Sequence, residues 1–376
     1  MDRAPAILLL GVGGAGCSMV ARLLPVLPGE VGTLFLDTDE RSLPAGAQTL
    51  QLGRQQTRGM GTGGEVGSGL AAAESEEAAV RRALAGSHVV VLVTGLGGGT
   101  GGGATPFVAS CAAEAGATVL CFATMPFSHE GERRQREADQ AATALATRCH
   151  GFVAVHNDLL LQQVPADAPL PDAFAAADAW VGGAIRGIAA AFAPGALVPA
   201  DPSALRSLFP TPGSPTLCAF GDGEGQGAAM KAARAASDCP LAHGPGAVTK
   251  VASLFVHVAG GPELTSTDAF EAVAAVRTKF GGETATVLCA RTDASLAGRV
   301  EVSVLGASLP VPRTAAKGRR GQKSGKVDDS QAIFPFATDD AVRRGYFGGA
   351  PMTIVEGQDI DVPTYIRKAV RLPAAP

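Results

Sequence analysis

Aromatic residues are scarce in this chain: of 376 residues, 5% are aromatic, with one Trp and two Tyr. A core built without them must rely on small side chains and close backbone approach, and Gly alone supplies 49 positions. Charged residues make up only 18% and the formal net charge is −4, so no broad basic surface argues for nucleic acid. The seven cysteines (17, 111, 121, 149, 218, 239 and 289) form no CxxC pair. They read as reduced core residues rather than disulfides or zinc ligands, and no metal site is expected from protein side chains. Glycines interrupt every apolar run well before the roughly 20 residues a membrane span requires, so no direct membrane insertion is expected. No GxxxxGK[ST] is present, which excludes a P-loop and its phosphate-binding lysine. With 46% apolar residues, the chain is expected to be a soluble, globular, cytoplasmic protein.

What the chain has instead is glycine in a particular place. Residues 97–103 place six glycines around Thr100. They follow an apolar, β-branched run at 89–94 and precede a helical pattern from Pro106. Without Cβ atoms, successive N–H groups can converge on one point and form an anion nest at a helix start. Residues 11–16 form a second such loop, matching GxGxxG after a strand, with Asp37 and Asp39 about 20 residues on, as dinucleotide-binding folds require. Taken alone, that fingerprint fits an NAD(P)-dependent oxidoreductase. One pyrophosphate needs one helix start, however, and residues 59–64 offer a third glycine loop. Several loops converging from successive strands suit a longer phosphate chain, held by backbone amides and helix dipoles.

Strand-like segments at 6–10, 33–36, 89–93, 118–123 and 152–155 alternate with helical ones at 17–24, 74–84, 106–115 and 131–146. The alternation predicts a doubly wound parallel α/β sheet with ligands at the carboxyl ends of its strands. A long helix follows at 172–192. A smaller α/β unit comes next, with helices at 228–237 and 266–280 and strands at 252–259, 285–290 and 300–305. The last two strands, joined through Asp293 and Gly298, suggest a hairpin. The predicted domains are a nucleotide-binding domain at 1–168, a central helix at 169–195, a C-terminal domain at 196–311, a flexible linker at 312–355 and a tail docking peptide at 356–376. Lys317, Arg319, Arg320, Lys323 and Lys326 lie in the linker and are expected to be solvated.

The ordered motifs GVGGAG (11–16), DTD (37–39), GMGTGGEVG (59–67), GLGGGTGGGATP (95–106), PFSHEGERR (126–134), HND (156–158) and DAFAAAD (172–178) resemble the tubulin/FtsZ family, its FtsZ branch above all. The similarity continues through AGGPELTSTDAFEAVAAVR (259–277) and TATVLCART (284–292), and resumes at DIDVPTYIRK (359–368). It covers everything but the linker. The resemblance implies a GTPase that binds GTP with Mg²⁺ and assembles with copies of itself, head to tail, at the division site. Gly13, Gly14, Ala15, Gly16, Cys17 and Ser18 would cradle phosphates on one helix start, and Gly98, Gly99, Thr100, Gly101 and Gly102 on the other. Gly61 and Gly63 would line the third loop. Glu130 and Arg134, four apart and expected on one helix turn, would reach ribose and phosphates. Asn157 and Asp178 would read the guanine edge, where a carboxylate can accept from both N1–H and N2–H, and Phe174 would stack on the base. Residues 361–368, Asp361 to Lys368, would bind a membrane tether or division regulator.

The family's hydrolytic loop reads Asn-x-Asp-x-x-Asp and acts on the next subunit's nucleotide. Here it is Pro199-Ala200-Asp201-Pro202-Ser203-Ala204, leaving Asp201 as the sole catalytic acid, acting in trans. Losing a positioned base typically costs roughly 10²–10⁴-fold in rate, so slow hydrolysis is expected. A hydrolysis-impaired paralogue that regulates a second, intact family member fits the same loop. Smaller departures are Cys17-Ser18 in place of Gly-Asn, Gly102 in place of a Ser, Ala or Thr, and a 59–67 loop one residue short.

Overall fold

A computed structural model describes residues 7–28, 31–161, 169–244, 248, 250–308, 354–355 and 358–359, with the backbone alone at 160–161, 170–178, 282–284 and beyond 308. Residues 1–312 form one compact unit. Its chain order is β1 (Ile7–Val12), α1 (Gly13–Leu23), β2 (Gly32–Asp37), β3 (Thr49–Gln51), α2 (Arg54–Thr57), α3 (Val66–Ser75), α4 (Glu77–Leu84), β4 (Val89–Gly95), α5 (Gly99–Glu114), β5 (Thr118–Met125), α6 (Glu132–Arg148), β6 (Gly151–His156) and α7 (Asn157–Leu161). Then follow α8 (Leu170–Phe192), α9 (Pro202–Leu208), β7 (Ser214–Glu224), α10 (Ala228–Ser237), β8 (Val251–Gly260), α11 (Ser266–Phe280), β9 (Gly281–Thr292) and β10 (Arg299–Ala307).

The strands form one sheet in the order β3-β2-β1-β4-β5-β6-β7-β10-β8-β9. The first six are parallel and doubly wound, as the alternation predicts. Their side chains sort by parity. On one face Leu9, Val91, Val93 and Phe122 pack with α1 residues Cys17 and Val20 and α8 residues Val181, Ile185 and Ile188. On the other, Leu8, Leu10, Leu92 and Cys121 pack with Val80 and Leu84 of α4 and Val108 and Ala112 of α5. Burial on both faces explains why these strands are continuous apolar runs rather than alternating ones.

The second part differs from expectation. β9 and β10 do not form a hairpin: β8 lies between them, paired parallel to β9 and antiparallel to β10. The connection β8–α11–β9 is a crossover that places β9 beside β8. β10 then enters on β8's other side, antiparallel to both β7 and β8. β10 can occupy that central position because its segment from Val302 to Ala307 is buried throughout. β7, a strand not expected from the sequence, joins the halves through a two-residue parallel contact of Gly151 and Phe152 with Ser214 and Pro215. α10 and α11 bury Ala232, Ala236, Val273 and Val276 against Val256, Val302 and Val304.

α8 runs between the halves. Its glycines let it approach closely: a Cβ on Gly187 would lie 1.9 Å from Ser303 Oγ, and one on Gly183 would lie 2.5 Å from the Phe220 ring. Arg186, one residue before Gly187, pairs with Glu301 of β10 at 2.7 Å. Among the described residues no helix is long and apolar enough to cross a membrane.

In the second unit, 313–376, Ile354–Val355 and Gln358–Asp359 form a two-residue antiparallel pair. The pair straddles the boundary expected between linker and tail at 355/356. The segment expected to be a docking peptide, Asp361 to Lys368, and the basic residues from Lys317 to Lys326 lie outside the described residues.

Candidate functional site

β1 and β4 are neighbours, and the strands that follow them in chain order lie on opposite sides: β2 beside β1, β5 beside β4. At such a switch point a crevice opens outside the carboxyl ends of the strands. Both glycine loops leave the sheet here. β1 passes directly into α1 and β4 into α5, so two helix N-termini meet at one place. A Cβ on Gly13 would lie 3.0 Å from the amide nitrogen of Gly101 and 3.6 Å from Thr100 Cβ. Gly13 also takes a φ of 72°, a left-handed conformation open to glycine.

Neither helix carries a side-chain N-cap: Val12 precedes α1 and Gly98 precedes α5. The first N–H groups of both helices thus lack both an intrahelical acceptor and a capping side chain. Their dipoles add positive potential at the same point. The arrangement has the geometry to cradle an anion from two sides.

The glycine-rich stretch at 97–103 is mostly helix, not loop. Gly97, at φ 86°, makes the turn, Gly98 is extended, and α5 begins at Gly99, well before the start expected at Pro106. Glycine in a helix costs about 1 kcal/mol relative to Ala. Here close packing requires it. Cβ atoms at Gly99, Gly101 and Gly103 would meet Thr62 Oγ1 at 2.1 Å, Gly95 O at 2.0 Å and Val66 O at 2.1 Å. The third loop is thereby brought against α5 through Thr62 and Glu65. Gly61 lies beside Asp39, with a φ of 83°, while Gly63 faces open space.

Among the other α1 residues, Ala15 and Ser18 are exposed and Gly14 half-buried. Cys17 offers only its amide: its thiol is buried against Gly11 O and Leu36 O, and burial pushes its pKa up to about 12. Gly16 lies flat on β4, where a Cβ would sit 2.1 Å from Val93 O. The Thr100 hydroxyl is already bonded, at 2.6 Å, to the hydroxyl of Thr38. Thr38 was missed as a site residue, although the DTD motif that contains it is visible in the sequence. Asp37 lies beside it, 2% exposed, with Oδ1 accepting from the amides of Thr38 and Asp39.

Glu130 and Arg134 do form an ion pair, but not on one helix turn. Glu130 closes a 3₁₀ turn (Ser128–Glu130), Gly131 breaks the chain at φ 99°, and α6 starts at Glu132. Glu130 Oε1 also accepts from Phe127 N at 2.8 Å. Arg134 is beside the α5 loop: a Cβ on Gly97 would touch its carbonyl oxygen at 3.0 Å. Asn157 begins α7 directly after β6, and its neighbour Asp158 accepts from Ser128 N and Oγ, tying the two segments together. Phe174 and Asp178 are on α8, with side chains outside the described residues.

Asp201 is not placed as a free base. It caps α9, accepting from Ser203 N at 2.9 Å and from Ser203 Oγ at 2.6 Å. These bonds, the hydroxyl's first, hold its carboxyl below the ordinary aspartate value. Val198, just before the loop, bridges to Ala290 by two backbone bonds, while Leu197 and Val198 expose apolar side chains.

Residues 6–165 match the Tubulin/FtsZ family, GTPase domain. Over 317 residues the chain is 30% identical to cell division protein FtsZ 1 of Archaeoglobus fulgidus, covering 84% of each chain. Among solved structures, an empty FtsZ dimer from M. jannaschii is similar at 27% identity and a TM-score of 0.73, over 81% of this chain and 88% of that one. CetZ2 from Haloferax volcanii, solved as a GTPγS-bound protofilament, shares the fold at 21% identity and a TM-score of 0.63, over 81% of this chain and 93% of that one. The dinucleotide oxidoreductase that the GxGxxG fingerprint alone allows is set aside by these matches. Fold, cradle and sequence agree: the chain belongs to the tubulin/FtsZ family.

Proposed function

We propose that this protein binds GTP in the cradle between α1 and α5 and assembles head to tail into filaments, at the division site of the cell. The observation that carries the proposal is the approach of Gly13 to Gly101, two uncapped helix starts within contact of each other. A single dinucleotide pyrophosphate would leave one of them unused. Gly13, Gly14, Ala15, Gly16, Cys17 and Ser18 would supply amides from one side, and Gly98, Gly99, Thr100, Gly101 and Gly102 from the other. Gly61 and Gly63 would border the phosphates, Glu130 and Arg134 the ribose and phosphates, and Asn157, Phe174 and Asp178 the guanine. A Mg²⁺ ion would ride on phosphate oxygens and offset their charge rather than sit in a protein cage. Asp39 is already held by Arg41 through two side-chain bonds.

In a head-to-tail filament the loop after α8 would enter the next subunit's site. Asp201 would be its only carboxylate, and the cap bonds from Ser203, which hold its pKa down, make it a weaker base toward water, so hydrolysis would be slow. The domain limits (1–168, 169–195, 196–311) and a docking role for the tail from Asp361 to Lys368, toward a membrane tether or regulator, belong to the same proposal. A regulatory paralogue of an intact family member is the second reading, favoured by the Pro199 and Ala204 replacements. Phosphate release measured in assembled protein, alone and mixed with an intact family member, tests both. Turnover of ordinary speed that survives Asp201→Ala would sink the slow-hydrolysis claim.

A further inference from the structure

Asp37 is an acid buried behind the first turn of α1. It ends β2 and is 2% exposed. Oδ1 is bonded to the amides of Thr38 and Asp39, at 2.6 and 3.1 Å, but Oδ2 is buried and makes no hydrogen bond. Oδ2 faces the first turn of α1, 3.8 Å from where a Cβ on Gly14 would sit. The Thr100 hydroxyl is near enough to favour the ionised form, yet its close partner is Thr38. The charged groups around Asp37 are few. Asp39, on the same segment, repels it, and Arg41 is taken up by Asp39. Cys17 of α1 is a neutral thiol, since the charge of Asp37 adds to the burial that raises its pKa. α5 presents the Thr100 hydroxyl. No cation is paired with Asp37 among the described residues.

The helix start that Oδ2 faces is the one the proposed function assigns to nucleotide phosphates, and the inference rests on that assignment. An incoming phosphate brings negative charge to a buried, half-satisfied carboxylate with no counter-cation. Two like charges in a site of low dielectric cannot both stay ionised cheaply. We propose that Asp37 takes up one proton from solvent when nucleotide phosphate enters the cradle, so that a neutral carboxylic acid lies beneath the bound phosphates and affinity falls as pH rises. The balance is one proton bound per site, with no bond broken in the nucleotide. In the free protein, burial first, opposed by the amides of Asp39 and Thr38, already lifts the carboxyl above its ordinary value. Phosphate lifts it further, and by linkage the proton in turn favours phosphate. Between the free and bound pKa values, each unit of pH weakens binding by up to about tenfold.

The test uses GDP, which binds without turnover, and compares the wild type with Asp37→Asn. Asn keeps the acceptor for Thr38 and Asp39 and imitates the protonated acid. GDP is titrated by calorimetry from pH 5.5 to 8 in buffers of different ionisation enthalpy. Protons released by the GDP phosphates are common to both proteins and cancel in the comparison. The wild type is expected to take up more protons than Asp37→Asn, by several tenths to one per site. Asp37→Asn should bind about tenfold more tightly at pH 8, and nearly equally at pH 5.5. Equal proton counts and parallel pH curves would overturn the inference while leaving the cradle intact. Failure of both proteins to bind GDP at any pH would instead sink the nucleotide assignment. Should Asp37→Asn not fold, carbon-detected NMR of wild type labelled at aspartate carboxyls replaces it. One buried carboxyl must move from ionised to protonated on adding GDP at pH 7, and none moving overturns the proposal.

Discussion

Four of the five glycines within residues 98–103, at the start of α5, should respond to the same substitution in different ways. A Cβ at Gly101 would lie 2.0 Å from Gly95 O, a backbone atom of the adjoining strand. Relief requires α5 to lift from β4 by about 1 Å or more, an overpacking cost of roughly 1–3 kcal/mol. At Gly102 the new methyl would meet Val66 Cγ2 at 3.5 Å and Ala141 Cβ at 3.7 Å, ordinary contacts. There the helix gains about 0.5–1 kcal/mol from losing a glycine. Gly103→Ala should resemble Gly101→Ala, because Val66 O lies at 2.1 Å. Gly98 has nothing within 4 Å and an ordinary backbone conformation. Gly98→Ala should therefore leave stability unchanged yet weaken GTP, because it adds a methyl at the helix start where the phosphates are proposed to lie. Urea unfolding and GTP titration of the four variants separate the effects. Gly102→Ala should unfold at higher urea than wild type, Gly101→Ala and Gly103→Ala at lower, and Gly98→Ala should differ in affinity alone. Equal stability of Gly101→Ala and Gly102→Ala would refute the packing argument. Undiminished GTP binding by Gly98→Ala would refute the placing of the phosphates.

Three further outcomes are expected. Ala204→Asp should raise phosphate release from assembled protein at least tenfold by restoring an acid, and an unchanged rate would move the slow step elsewhere. Asp201→Ala should remove the cap of α9, lowering stability, as well as any remaining turnover. Because that carboxyl is depressed in the folded protein, its stabilising effect is present above the usual aspartate range and lost as pH falls through its lowered value. His257 is 2% exposed, with Nε2 unpartnered, and burial, with Arg291 nearby, lowers its pKa to about 4. The unfolded chain then binds the extra proton between pH 6.5 and 4, so stability should fall by roughly 3 kcal/mol as pH drops across that window. His257→Gln should flatten that slope in acid-dependent urea melts.

The cradle was legible in the sequence because its determinant is local: glycine loops directly after apolar strands, which the parallel sheet aligns. Asp37, Thr38 and Asp39 were visible as a motif, but the bond between Thr38 and Thr100 spans 62 positions and has no local signature. The true start of α5 was hidden for the same reason. A run of glycines suggests a loop until α3 is known to lie against it. β7 was missed because Gly221 and Gly223 interrupt its apolar pattern. A Cβ on Gly221 would lie 2.1 Å from Ala236 N, and one on Gly223 would lie 2.4 Å from Ala228 O, so both make room for α10. The hairpin expected from β9 and β10 failed because adjacency in the chain says nothing of which strand inserts between them. Asp201 was located by motif alone, and its capping bonds to Ser203 emerge only with the start of α9.

The central claim is that the paired helix starts hold GTP and that the loaded subunit assembles. Sedimentation of the purified protein with GTP, GDP, ATP or NAD, beside Gly98→Ala, tests it most directly. Pelleting with GTP that ATP and NAD do not support, and that Gly98→Ala weakens, is the expected result. Binding of NAD without GTP, or pelleting indifferent to nucleotide, would contradict it.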